Sequence, residues 1–168
     1  FRRVLFRSEV MSMENVMNVA AYIANRYFSE HGQRIDEMKL HKLMYFAQRE
    51  SFIQTGKPLF NAVFYGWKYG PVLKEVRSAY RDGSITDLVQ DKFEEDCSAI
   101  FDRVFKDYAG KDSWSLSRLT HGELSWKNSR IGISEEANSD KPMSTDDIKK
   151  DAERIKSRRE MLSSLGLI

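Results

Sequence analysis

The fold depends most on residues 36–58, which read DEMKLHKLMYFAQRESFIQTGKP. This stretch predicts a helix over residues 36–55, in which the Asp36 side chain caps the first backbone amides. Residues 56–58 (Gly-Lys-Pro) predict its end, because glycine accepts a left-handed backbone and proline cannot continue a helix. Residues 40–47 are apolar around most of the circumference. A helix of that kind is usually surrounded by others, so we expect it at the centre of a helical bundle.

A second helix is predicted upstream, over residues 15–31. Its apolar residues recur at three- and four-residue spacings, the pattern of an amphipathic helix. They are Val16, Val19, Ala20, Ile23, Ala24, Tyr27 and Phe28. Gly32 predicts the end of this helix.

The residues after the central helix favour extended structure. Aromatic and β-branched residues predominate there, and these suit a short extended segment or a small hairpin. The sequence therefore predicts a small β element around residues 60–69. We expect Gly70 and Pro71 to open the next helix, because proline is well tolerated in a first turn. Val72 and Leu73 would lie on its buried stripe, and residues 82–83 (Asp-Gly) would end it.

Residues 91–108 have the most regular apolar periodicity and predict a fourth helix. Cys97 lies on its apolar face, so we expect a buried, inert thiol. Ser113 is expected to cap a short helix that ends at Leu119, followed by a turn that contains Trp126.

The C-terminal region completes a mostly α chain. Residues 131–141 predict a loop, and Ser144 or Thr145 predicts the start of a last helix. We see no internal repeat and no low-complexity linker. The sequence therefore predicts a compact, single-domain helical bundle over residues 11–168.

Residues 1–10 do not resemble protein-coding sequence. Residues 1–8 (FRRVLFRS) back-translate to a common short-read sequencing adapter, so we interpret the segment as non-native. The alternative is a genuine basic arm. We expect its deletion to change neither folding nor activity. Thermal melting of the shortened chain checks this, and a fall in Tm of more than a few degrees would show that the segment is structural.

Composition and charge exclude several classes of protein. The 168 residues are 41% hydrophobic and 31% charged, which argues against disorder. No run approaches the ~18 apolar residues of a membrane-spanning helix, so we expect a cytoplasmic protein without membrane contact. Without residues 1–10 the chain has 24 basic and 24 acidic residues, and this balance argues against nucleic-acid binding. One cysteine excludes an internal disulfide framework.

Motifs for catalysis are missing from the sequence. It has no glycine-rich phosphate loop, no His-Glu-x-x-His helix and no nucleophile elbow. A zinc site made of His31, His41 and His121 is an alternative, but their spacing carries no ligand signature. We therefore expect no enzyme, no metal and no cofactor.

Three blocks of sequence together resemble a known family. The first is MKLHKLMYFAQ (38–48), the second combines PLF (58–60) with GWKYGPV (66–72), and the third is LSRLTHGE (116–123) followed by Trp126. Their order and spacing are similar to the Panacea antitoxin domain, the family of the SocA-like antitoxins and GepA-type phage-associated proteins. The resemblance covers roughly residues 16–155. The sequence departs from the family pattern at two places, namely Gly66 and the pair Leu124-Ser125.

The resemblance implies a mostly helical fold with a small β element and an antitoxin that binds a cognate protein toxin. Such pairs are encoded side by side in bacteria, phages and other mobile elements. Two alternatives stay open: an adaptor that delivers the toxin to a AAA+ protease, and a DNA-binding regulator, which the neutral charge disfavours. The family pattern assigns no catalytic residue. The sequence leaves the toxin's chemistry and the oligomeric state open.

The candidate partner-binding residues lie in the second and third blocks. They are Trp67, Lys68, Tyr69, Gly70, Pro71, His121, Glu123 and Trp126. Tryptophan and tyrosine are frequent in binding hot spots, but large aromatic residues are even more often part of a core. We therefore favour a core role for Trp67 and Trp126, and a contact role for Lys68 and His121. His121 has the alternative role of fixing the turn before Trp126 through a backbone hydrogen bond.

Overall fold

The computed structural model describes residues 13–85, 93 and 95–168. Helix α1 spans Val16–His31 and helix α2 spans Glu37–Thr55, with Asn15 and Asp36 as side-chain caps. Gly32 and Gly56 end them with left-handed backbone, as predicted. The 1–10 segment and part of the start of the predicted fourth helix lie outside the described residues.

Helix α2 is the central element of the fold, as predicted. Its side chains are buried without interruption from Lys39 to Phe52. It packs against α1 and against four further helices: α3 (Lys74–Asp82), α4 (Glu95–Val104), α5 (Ser113–His121) and α7 (Thr145–Ser164). Leu40, Leu43 and Met44 are fully buried. Burial on every side explains why residues 40–47 are apolar around most of the circumference.

The small β element is a two-stranded antiparallel hairpin of β1 (Tyr65–Trp67) and β2 (Gly70–Val72). The prediction that Gly70 and Pro71 open a helix was wrong, because both belong to β2. Gly70 has a φ of 110°, which no helix accepts. Pro71 pairs opposite Gly66 in a hairpin that has two strands among the described residues, and the missing N–H of proline is tolerated at such an edge. The helix starts only at Lys74, after the buried Val72 and Leu73.

Smaller corrections concern the third block. The cap of α5 is Asp112, not Ser113, and its carboxylate accepts the backbone N–H of Ser115 at 2.9 Å. Ser113 instead donates to the Asp36 side chain at 2.6 Å. Helix α5 continues to His121, beyond the predicted end at Leu119. Trp126 lies within a short helix, α6 (Leu124–Ser129), rather than in a turn.

The buried position of Cys97 and the start of the last helix are confirmed. Cys97 is buried on α4, and Ser144 caps α7. Helix α4 is extended by a π-helical turn, Phe105–Ala109. Within the described ranges no helix combines the length and the apolar character needed to cross a membrane. The fold is mostly helical, with the hairpin as the sole sheet among the described residues.

Candidate partner-binding site

The hairpin and the third block are joined by the aromatic residues of both motifs. The indole N–H of Trp126 donates to the backbone carbonyl of Trp67 at 2.9 Å. The ring of His121 stacks on Trp126, with ring centroids 4.0 Å apart and planes 14° apart. Both tryptophans are half-buried. The structure therefore brings the second and third blocks into one surface region, built on α5, α6 and the hairpin.

His121 supports the hairpin through Trp126. Its ring stacks on the indole that donates to the Trp67 carbonyl, and its Nε2 lies 3.5 Å from Ser117 Oγ. Partial burial lowers its pKa below the ordinary histidine value, so the ring is neutral at pH 7. The ring therefore contacts Trp126 and Ser117 rather than the backbone of the turn before Trp126.

The hairpin loop presents two exposed aromatic side chains to solvent. Tyr69 is 42% exposed, and it meets Trp114 of α5, which is 56% exposed, edge to face at a centroid distance of 5.2 Å. Lys68 lies beside them: its ammonium pairs with Glu136 and sits 5.0 Å from the Tyr69 ring centroid. Large apolar side chains exposed as neighbours are a frequent property of protein-binding surfaces.

Glu123 lies in the interior, away from this surface. Its side chain is almost inaccessible and accepts three bonds: from Arg49 Nη1 at 2.7 Å, Tyr45 Oη at 3.1 Å and Arg154 Nη2 at 3.2 Å. Burial raises the pKa of this carboxyl above its ordinary value. Its three donors tie α6 to α2 and α7, so Glu123 connects helices in this structure.

Gly70 and Pro71 are also buried. A Cβ on Gly70 would lie 2.5 Å from Thr120 Oγ1 and 2.7 Å from Lys42 Cε, so only glycine fits there without a shift. The carbonyl oxygen of Pro71 accepts a hydrogen bond from Lys42 Nζ at 3.2 Å. Both residues pack on the side of the hairpin that faces α2 and α5, so they present little accessible surface to a partner.

Two residues of this region were missed by sequence reasoning. Lys42 is 1% exposed beneath the hairpin. Its place within the apolar run 40–47 is the signal that could have indicated its burial. Such a lysine is unusual, because lysine is almost never fully buried. Trp114 lies outside all three blocks, and its exposure depends on how α5 packs, which no local pattern indicates.

Burial lowers the pKa of Lys42 to about 7, and this predicts a pH-dependent stability. Between that value and the ordinary lysine pKa of about 10.5, the unfolded chain binds a proton that the folded chain does not. The folded state therefore gains stability as pH rises through this window, by up to about 1.4 kcal/mol per pH unit. Lys42→Met removes this term, so it should stabilise the protein most at pH 7 and below.

Chemical unfolding of both proteins between pH 6 and pH 10 measures this difference. The gain in unfolding free energy from Lys42→Met should shrink steadily towards alkaline pH. Parallel curves for the two proteins over that range would contradict the assignment of Lys42 as a buried, destabilised ammonium.

No group of three histidine, cysteine or acidic side chains that could hold a metal ion occurs in the part of the chain that the structure describes. The possible zinc set of His31, His41 and His121 therefore has no support in the geometry. His41 instead accepts the backbone N–H of Leu73 at 3.2 Å, while His31 stacks on Tyr27.

Comparison with known proteins identifies the family. No curated protein and no solved structure matches the chain. The family model described as antitoxin SocA-like, Panacea domain, matches residues 40–127, about half of the chain. The match is shorter at both ends than the resemblance over residues 16–155, and it contains all three blocks from Leu40 onwards. The chain belongs to the SocA-like, Panacea-domain antitoxin family.

Proposed function

We propose that this protein is an antitoxin that neutralises a cognate protein toxin by direct binding, without catalysing a reaction itself. Family membership supports the antitoxin role. The observation that carries the binding mode is the exposed aromatic pair of Tyr69 and Trp114, which lies within the matched residues. We propose the cytoplasm as the place of action.

The aromatic pair has the properties of an anchor for a protein partner. Tyrosine and tryptophan bury large areas with little loss of side-chain freedom, and alanine scans find them often among the residues that dominate affinity. The pair sits on a rigid base, because Ser117 Oγ donates to the backbone carbonyl of Tyr69 at 2.8 Å. A preorganised anchor of this kind reduces the entropy lost on binding.

Lys68 adds a positive charge beside the aromatic pair. Its ion pair with Glu136 is largely solvated, since Glu136 is highly exposed. Ion pairs of that kind contribute about 0–1 kcal/mol to stability, so a partner can compete for the lysine. The proposed contact of Lys68 with an acidic group on the toxin therefore requires only the exchange of one carboxylate for another.

A variant series separates this surface from the scaffold. Lys68→Ala and Tyr69→Ala should each change the unfolding free energy by less than about 1 kcal/mol, because both side chains are largely or partly exposed. Leu43→Ala and Val76→Ala remove fully buried side chains and should destabilise by about 2–4 kcal/mol. Growth rescue of cells that express the toxin encoded by the neighbouring gene is then plotted against Tm.

The two core variants should lose rescue only as far as they lose folded protein. The two surface variants should lose rescue while Tm stays unchanged. If Lys68→Ala and Tyr69→Ala fall on the line drawn by the core variants, the hairpin belongs to the scaffold and the interface lies elsewhere.

A further inference from the structure

A cavity of about 330 Å³ lies between the start of α2 and the hairpin. Its lining includes His41 and Lys42 from α2, Trp67 from β1 and Arg77 from α3. It opens beside the hairpin loop, since Lys68 and Tyr69 also line it. The cavity is therefore continuous with the surface proposed to bind the toxin.

One wall of the cavity holds a histidine N–H without an acceptor. His41 Nδ1 accepts the backbone N–H of Leu73 at 3.2 Å, so the proton of the neutral ring is on Nε2. Burial lowers the pKa of His41 and keeps the ring neutral. The nearest carboxylate, Glu37, lies 3.9 Å from Nε2, too far for a hydrogen bond, and it is bound by Arg77 at 3.0 Å.

A second unpaired donor is the indole N–H of Trp67. Three buried side-chain nitrogens have no hydrogen-bond partner in the described part of the chain, and two of them, His41 Nε2 and Trp67 Nε1, belong to residues that line this cavity. A buried tryptophan N–H usually has a partner, as that of Trp126 does. A buried donor without a partner is costly, so two in one cavity indicate a missing acceptor.

Lys42 provides a third donor and a positive charge. Its Nζ donates to the Pro71 carbonyl oxygen at 3.2 Å, and the carboxylates of Asp36 and Glu37 act on it only at longer range. The two acidic residues of the lining already have cationic partners: Glu37 pairs with Arg77, and Glu136 pairs with Lys68. The charge left uncompensated in the cavity is therefore positive when Lys42 is protonated.

We propose that this cavity binds the carboxylate of an aspartate or glutamate side chain of the protein partner, an inference that rests on the proposed function. An ionised carboxylate is an acceptor with about four lone-pair positions, which suits the three donors carried by residues of this lining. Hydrogen bonds to a charged acceptor are also roughly twice as strong as neutral ones. A partner's amide group, which carries its own donors, would match this lining less well.

A carboxylate reaches these donors only when the lining moves, because the two unpaired nitrogens are buried. The side chains around the opening include those of Met38, Lys68 and Arg77, which are long and flexible. The ion pairs that hold Lys68 and Arg77 are partly exposed, so their exchange needs little free energy.

Titration of the full chain, with ¹⁵N-labelled tryptophan, tests the site directly. Three indole N–H signals are expected, one from each tryptophan. The probe is N-acetyl-glutamate methylamide, and its glutamine counterpart at equal ionic strength is the control. We expect the Trp67 signal to shift with saturation, with a Kd of about 1–10 mM for so small a ligand. The Trp114 and Trp126 signals should move little.

Two variants assign the shift to the cavity. Trp67→Phe keeps an aromatic ring and removes the N–H, and Lys42→Met keeps the volume and removes the charge. Because Trp67→Phe also removes the reporting signal, binding to all variants is followed by the backbone amide signals of the hairpin loop after uniform ¹⁵N labelling, and each of these two variants should weaken binding of the glutamate probe at least about tenfold. Lys39→Met is the matched control, since Lys39 is buried in the same helix but bonds to Tyr27 and Ala109 outside the cavity.

Several results would overturn the proposal. These are a Trp67 signal without saturation up to about 100 mM probe, equal binding of the glutamine compound, or a persistent cross-peak from Trp67 to an ordered water.

In toxin rescue, Trp67→Phe and Lys42→Met should fail where Lys39→Met succeeds, and rescue by all three variants would also overturn the proposal. Failure of the unmodified chain to rescue contradicts the proposed function instead, and the probe titration then decides alone whether the cavity binds carboxylates.

Discussion

Asp151→Ala is expected to lower the unfolding free energy by about 3–5 kcal/mol, as loss of one partner in a buried ionic network does. Asp151 is 1% exposed on α7. Its carboxylate accepts the backbone N–H groups of Leu124 at 2.8 Å and Ser125 at 2.9 Å, and it lies 3.3 Å from Tyr45 Oη, whose single proton is shared with Glu123. Alanine leaves the two backbone donors without this partner. Because these two begin α6, the position of the third sequence block should be lost with them.

Denaturant unfolding followed by circular dichroism measures this effect. Glu153→Ala is the matched control, because Glu153 is an exposed acidic residue of the same helix, and it should change the stability by less than about 0.5 kcal/mol. Asp151→Asn keeps one acceptor oxygen and should lie between the two. Equal stability of the Asp151→Ala and Glu153→Ala proteins would show that the network does not hold α7 to α2 and α6.

Gly70→Ala is expected to destabilise by about 2–5 kcal/mol, through backbone strain and overpacking together. Its φ of 110° is rare for any residue with a Cβ. The new Cβ would also lie 2.5 Å from Thr120 Oγ1 and 2.7 Å from Lys42 Cε. The hairpin must therefore move away from α2 and α5, which should also disturb the stacking of His121 on Trp126.

Variants of two other glycines separate the effect of backbone strain from the effect of overpacking. A Cβ at Gly32 would meet no atom within 4 Å, but the residue would keep a φ of 70°. Gly32→Ala should therefore lower the unfolding free energy by about 1–2 kcal/mol, through backbone strain alone. Gly110→Ala has ordinary helical φ and open space, so it should be neutral within about 0.5 kcal/mol. If Gly70→Ala lowers the unfolding free energy by no more than Gly32→Ala does, the residues beneath the hairpin leave room for a Cβ at position 70.

The helices could be predicted well because their signals are local. Asn15, Asp36 and Ser144 each carry the acceptor that caps the first turn, and Gly32 and Gly56 supply the left-handed backbone that ends a helix. The hairpin boundary was wrong for a physical reason. A proline followed by apolar residues fits the first turn of a helix equally well, and only the pairing of Pro71 with Gly66 distinguishes the two.

The candidate site could be predicted only in part, because exposure depends on tertiary packing. The aromatic composition of the second block identified the region, yet it did not distinguish exposed Tyr69 from half-buried Trp67. Glutamate is usually a surface residue. Glu123 is buried here because its carboxylate pairs with Arg49 and Arg154, which lie on two other helices. Such partners, 74 and 31 residues away, leave no local pattern.

These observations assign different tasks to the three blocks. The first block forms the central helix and supplies Lys42 and His41 beneath the hairpin. The third block supports the hairpin through His121 and Trp126, and it is itself held by the buried carboxylates of Glu123 and Asp151. The second block presents Lys68 and Tyr69 on this support. Variants of the buried carboxylates that hold the third block should therefore act through folding, and variants of the hairpin loop through binding.

Direct neutralisation is tested most directly by calorimetric titration of the purified chain into the purified product of the neighbouring toxin gene, with no protease and no ATP. The toxin's activity is measured in the same mixtures. We predict saturable binding at a defined molar ratio, with the toxin's activity lost at that ratio and Tyr69→Ala weakening both together. An active toxin in the presence of excess antitoxin, inhibited only when a AAA+ protease and ATP are added, would contradict direct neutralisation and identify an adaptor.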